Sequence, residues 1–300
     1  LYVNNYGLTV TGGEFTFDGP GIAFVGATGA IKISGGSFKT TQTDTSVTNR
    51  QGMLFMQGAT NKGNSVSNAT FESYASTSQW NKDSRGVVWI DIGAYIVFGD
   101  GTKVIAHGKA TAIHLSGAPD KTVIFNGGTY TSETGMAYQD SGANPMMTAA
   151  TGGIYFNGGT FSSGIVGDNG VVVMQSGAYY EINGAAFANT NKNNAANVIF
   201  RAMRCAAVVI KKGTFTGGTF MRIRGDATSA DKSALVVIDP EKDEDVKFEY
   251  AYTRGNPMFW FEGDGRIAPT LIIKGGIFSR SGNGYIFAAN NACNGNVYVL

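Results

Sequence analysis

A six-residue phrase, apolar-polar-Gly-Gly-x-aromatic, recurs along this chain and restricts its fold more than any other feature. It reads Val10-Thr11-Gly12-Gly13-Glu14-Phe15, then Ile33-Ser34-Gly35-Gly36-Ser37-Phe38. Later copies, some with one glycine replaced, end at Phe71, Tyr130, Phe161, Phe187, Phe215 and Phe278, with looser versions near Val104 and Val246. Successive spacings are 23, 33, 33, 26, 31, 26, 28, 31 and 32 residues. One supersecondary unit per repeat of this length is the mark of a solenoid.

The local pattern makes the units strands rather than helices. The residue leading each phrase is apolar (Val10, Ile33, Val66, Phe125, Phe156, Ile182, Ile210, Ile273). The one after it is polar (Thr11, Ser34, Ser67, Asn126, Asn157, Asn183, Lys211, Lys274). A period of two places one face inward and one outward. The glycines then supply a corner that needs unusual dihedrals or close backbone approach, and the aromatic re-enters the core. Phe15, Phe38, Tyr130, Phe161, Phe187, Phe215 and Phe278 are expected to stack in one column.

A second strand precedes each phrase, as in Gly21-Ile22-Ala23-Phe24-Val25 and Gly52-Met53-Leu54-Phe55-Met56. Counted from its leading residue, the third position reads Phe24, Phe55, Trp89, His114, Ala150, Val173, Phe200, Met221, Phe259 and Phe287. That predicts an inward ladder rising about 4.8 Å per coil. The outward positions then include Val25, Met56, Ile90, Leu115, Met174, Arg201, Arg222 and Trp260. An outer face this apolar predicts cover by a partner, by loops folding back, or by another copy of the chain.

The expected fold is therefore all-β: a single-stranded right-handed parallel β-helix of about ten or eleven coils, with residues 1–300 as one domain. The phrases Phe125-Asn126-Gly127-Gly128-Thr129-Tyr130 and Phe156-Asn157-Gly158-Gly159-Thr160-Phe161 resemble the coils of pectate-lyase-like β-helix proteins. That group includes polysaccharide lyases and hydrolases, phage tailspikes and bacterial surface adhesins. The resemblance is architectural and runs the length of the chain, and an architecture does not carry an activity with it.

Composition narrows the function. The 43 glycines weaken any helical bundle, and 43% hydrophobic with 15% charged residues supports a core and excludes disorder. A net charge of +1 argues against a nucleic-acid partner. No apolar run is long enough to span a membrane. A Gly, Asn, Thr, Ser and Tyr vocabulary points to an extracellular, cell-surface or virion setting. Cys205 and Cys293 lie about three coils apart, about 14 Å at about 4.8 Å per coil, beyond the Cα reach of about 7 Å for a disulfide.

Candidate site residues fall into two groups. Arg201, Arg222 and Trp260 hold one outward position in three successive coils. An acidic sugar would satisfy the two guanidinium groups, with Trp260 as a stacking platform; Glu262 or cation–π stacking would do so internally. Tyr74, Trp80, Tyr138, Tyr250 and Tyr252 lie in the connections that follow the repeating aromatic, which are long at Lys39–Gln51, Glu72–Arg85, Thr131–Pro145 and Lys247–Asn256. Aromatics amid small polar residues suit a recognition surface, or simply pack the loops down.

Catalytic signals are sparse. His114 occupies a ladder slot, His107 sits in a turn, and Asp91 has no partner that spacing identifies. The acidic run 239–245 reads as a solvated bulge or a loose cation site. Arg224-Gly225-Asp226 matches the integrin-binding tripeptide, although three-residue matches arise by chance. No cofactor or metal is expected.

The leading expectation is a non-catalytic structural or recognition segment of a fibre, spike or adhesin, with a glycan or other surface ligand on its loop edge. The competitors are a tailspike-like polysaccharide lyase or glycoside hydrolase and a purely architectural filament subunit. Neither Leu1-Tyr2-Val3 nor Asn296-Val297-Tyr298-Val299-Leu300 offers a polar cap. Self-association, stacking end to end, or further coils at both ends are therefore expected.

Overall fold

The computed structural model describes the chain from Leu1 to Leu300 apart from residues 19–20, 27, 41–51, 75–85, 92, 116–120, 141–151, 167–169, 176–177, 192–196, 204–206, 226–232, 251–255, 264–266, 281–283, 291–292 and 294. Every strand pairing among the described residues is parallel, in one sheet of eleven strands and one of nineteen. Each repeat gives its first strand to the smaller sheet (Tyr2–Asn4, Ile22–Val25, Leu54–Gln57 in the first three). It gives the strands on either side of the glycine corner to the larger one, as in Ile31–Ile33 and Gly36–Thr40. Eleven repeats follow from the eleven strands of the smaller sheet. The arrangement is all-β and compatible with a parallel β-helix. One hydrophobic cluster runs from Ile22 to Cys293.

The larger sheet keeps the register that alternation predicts. Val10, Ile33 and Val66 are partners in sequence, as are Phe98, Phe125, Phe156, Ile182 and Ile210. The aromatics stack as one column: Phe15, Phe38 and Phe71 at 4.9 Å between ring centroids, then Tyr130, Phe161, Phe187 and Phe215 at 4.5 to 5.6 Å. Val104 fills the gap between Phe71 and Tyr130. In the ninth repeat the column residue is Phe248 rather than Val246, paired with Phe215 and Phe278.

In five repeats the corner turns on its second glycine. Gly13, Gly36, Gly128, Gly159 and Gly276 sit at φ between 91° and 114°, a region that side-chain-bearing residues avoid. Two repeats run straight through instead, Tyr179–Asn189 with Ala185 at that position and Ala207–Gly217 with Gly213, and they pair with a register irregularity between them. A Cβ on Gly159 would also meet the Gly127 carbonyl oxygen at 2.8 Å. Gly159→Ala is expected to cost about 1–3 kcal/mol of stability. Gly12→Ala, with nothing within 4 Å of its Cβ position, should stay within about 0.5 kcal/mol. Thermal unfolding of the two variants side by side tests the corner.

The smaller sheet departs from the expected ladder. Phe24 pairs with Met56, not Phe55, while Phe55 pairs with Trp89 and Trp89 with His114. Phe24, Phe200, Phe259 and Phe287 therefore point inward, whereas Phe55, Trp89, His114 and Val173 belong to the outer column. Met56, Ile90, Leu115 and Met174, expected outside, are core residues. In the sixth repeat Tyr138–Asp140 forms the strand, so Gln139 and not Ala150 pairs with His114. The segment 131–145 is thus not one long connection. Both faces of this sheet are apolar, and a one-residue slip leaves such a pattern intact.

Candidate functional site

The outer column of the smaller sheet reads Ala23, Phe55, Trp89, His114, Gln139, Val173, Arg201, Arg222, Trp260, Ala288. Arg201, Arg222 and Trp260 are register partners, as their spacing implies. Glu262, two residues beyond Trp260 and on the same face, draws both arginines in. It accepts from Arg222 Nε, and its other oxygen lies 3.7 Å from an Arg201 Nη. The Arg222 guanidinium also lies 5.1 Å from the Trp260 ring centre. Arg222 is buried, so the pair works in a partly dry setting, where such contacts are stronger than in water. Nearby Cys293 is a free, buried thiol, pushed up first by burial and then by the Glu262 charge. Cys205 lies outside the described residues.

At the other end of this column Phe55 and Trp89 pack at 4.4 Å between ring centres and are almost wholly buried, in a cluster separate from the core.

The expected recognition aromatics scatter. Tyr138 is fully buried in the core, edge-on to Phe125, Phe156 and Tyr180, and presents nothing to a ligand. Tyr250 is also buried, at a strand end, with the Arg280 guanidinium 4.4 Å above its ring. Trp80 and Tyr252 lie outside the described residues, as does Asp226 of the Arg-Gly-Asp tripeptide. Only Tyr74 is half-buried at the expected edge.

Tyr74 belongs to a charged cluster that spacing alone did not single out. Its ring stacks on His107 at 4.0 Å, and its hydroxyl donates to Glu72 at 2.8 Å. His107 has Glu72 2.8 Å from Nε2 and Glu133 2.8 Å from Nδ1. Lys39 lies 3.9 Å from Glu72 and 4.6 Å from the Tyr74 ring centre. The signal was in the repeat: Tyr74, His107 and Glu133 each stand three residues after the column positions Phe71, Val104 and Tyr130.

The electrostatics of this cluster restrict its chemistry. Partial burial pulls the His107 ring down, but hydrogen bonds and charge from Glu133 and Glu72 outweigh it and hold it raised. The hydrogen bond from His107 chiefly lowers Glu72, and the Gly108 amide chiefly lowers Glu133. A glycosidase needs one carboxyl kept protonated as general acid; here both are held ionised.

A third cluster stands on the outer face of the larger sheet. Glu181 accepts from Tyr179 at 2.7 Å and Asn183 at 2.8 Å, with Lys211 3.1 Å away. Asn126, Asn157 and Asn183 form a carboxamide ladder beside it. The acidic run holds a short 3-10 turn, Asp243–Asp245, mostly exposed, with Asp245 paired to Lys212 and Asp239 to Lys274.

Among the described residues no group of three or more His, Cys, Asp or Glu side chains is placed to hold a metal ion. No described helix is long and apolar enough to cross a membrane. No protein-family model matches the chain, and no curated protein or solved structure is significantly similar to it.

Proposed function

We propose that the chain is a single right-handed parallel β-helix, akin in architecture to the pectate-lyase-like proteins. In this reading it is a non-catalytic segment of an extracellular or virion-borne fibre, spike or adhesin that contacts glycans along its loop edge. The observation that carries this is the direction of its charged contacts. Lys39–Glu72, Glu72–His107, His107–Glu133, Glu181–Lys211, Lys212–Asp245, Asp239–Lys274 and Arg222–Glu262 each join one repeat to the next. Charges paired along the axis stiffen a rod; a hydrolytic or lytic site would gather them across a cleft. Polar side chains and partly exposed rings on the outer surface fit a polyhydroxylated ligand.

The test is incubation with immobilised neutral and acidic polysaccharides. Retention on at least one of them without new reducing or unsaturated ends is the expected result. Release of cleaved products would establish a polysaccharide-degrading enzyme instead. No retention on any would leave the architectural filament subunit.

A further inference from the structure

Ser73, Ala106 and Ser132 are register partners in three consecutive repeats, so the residues that follow them, Tyr74, His107 and Glu133, stand one above another. Each opens a connection back to the smaller sheet, and the one beginning at Tyr74 is among the longest in the chain. His107 stands between a carboxylate of the repeat before and a carboxylate of the repeat after, with a ring nitrogen 2.8 Å from each.

We infer that His107 is the centre of an acid-closed latch, whose doubly protonated ring ties the third, fourth and fifth repeats together at the feet of their connections. Only the imidazolium carries a donor on both nitrogens; the neutral ring has one N–H and one lone pair. Loss of one proton therefore sets a lone pair against a carboxylate oxygen, and one of the two contacts opens.

Each carboxylate has a second anchor that survives the change. Glu133 also accepts from the Gly108 amide at 2.7 Å, and Glu72 from Tyr74 at 2.8 Å with Lys39 nearby. Among the described residues the charged groups facing the ring are Glu72, Glu133 and, beyond Tyr74, Lys39; Lys109 is exposed two residues on. The Tyr74 face covers the ring and fixes its plane.

The sign follows from linkage. His107 is raised, so its contribution is complete below the ordinary histidine value of about 6.5 and is lost as pH rises through its higher folded value. Glu72 and Glu133 are lowered, so theirs is complete above about 4.3 and lost as pH falls through their folded values. The latch is fully closed between about pH 4.3 and 6.5 and opens as pH rises through the raised His107 value.

The chain has 2 histidines, so nitrogen-15 imidazole spectra resolve His107, assigned by the signal missing in H107Q. The expected result is a midpoint above the ordinary value with both nitrogens protonated below it. E72Q and E133Q should each lower that midpoint, and the double variant should return it to the ordinary range or below. Wild type should exceed H107Q in thermal midpoint at about pH 5.5, and the gap should shrink as pH rises through and beyond the His107 midpoint read from those spectra. A His107 midpoint at or below the ordinary value overturns the latch. So does a stability gap that stays level across that range, which would mark a merely structural contact.

Discussion

Phe161→Ala is expected to cost about 3–5 kcal/mol, the usual range for removing a buried aromatic ring. Phe161 is fully buried and lies in the longest unbroken run of the aromatic column. Tyr130 stacks on one face at 4.5 Å and Phe187 on the other at 5.1 Å, while Phe125 and Phe156 meet it edge-on at 5.2 and 5.0 Å. A methyl group cannot replace those contacts, and neighbours held in two sheets have little freedom to collapse into the space. Phe15→Ala removes the same side chain from the same column at a position 37% exposed and is expected to cost well under half as much. Because Phe161 packs against rings of its own repeat and the two beside it, the loss should appear first as faster amide exchange in Thr129–Ser132, Thr160–Ser163 and the second half of Tyr179–Asn189. A Phe161→Ala protein that exchanges like the wild type would mean that the column is not the core.

Glu262→Ala is the second large effect, expected at about 3–5 kcal/mol, the cost of breaking a buried ion pair by deleting one member. The Arg222 and Glu262 side chains are 9% and 12% exposed, and Arg201 shares the same carboxylate. Deletion leaves two guanidinium groups in adjacent repeats without the carboxylate that both approach. Replacing all three residues by apolar side chains of similar size should recover much of the loss, since the desolvation cost goes with the charges. Unfolding curves for the single and triple variants, read with amide exchange in Val198–Met203 and Thr219–Arg224, make the comparison. A single variant within about 1 kcal/mol of wild type would show that the arginines do not depend on Glu262, and Arg201, Arg222 and Trp260 would regain their standing as a ligand platform.

Legibility differed between the two sheets for a physical reason. In the larger sheet one face meets core and the other meets solvent, so Val10-Thr11 or Phe156-Asn157 states which side is which. A slip of one residue would bury Asn157 and expose Phe156, and the sequence forbids it. The glycine corner and the aromatic column follow from the same phrase. Only the ninth repeat misled, where Val246 stood for Phe248, because the acidic bulge before it shifts the count.

The smaller sheet carries apolar side chains on both faces, so Met53-Leu54-Phe55-Met56 reads equally well in either register. Only pairing with Ile22–Val25 on one side and Val88–Ile90 on the other decides that Leu54 and Met56 go inward and Phe55 outward. The same ambiguity let Ala150 stand in the ladder for the sixth repeat, whose strand is Tyr138–Asp140.

The sequence by itself thus determined the repeat, the strand period, the corner and one face of the core, since these are set by residues within a few positions of each other. The tertiary structure alone decided which outer side chains meet. His107 finds Glu72 and Glu133 across 35 and 26 residues, and Arg222 finds Glu262 across 40. Those separations depend on the length of each connection. The connections vary in length without disturbing the register, and it is the register of neighbouring strands that sets these side chains beside one another.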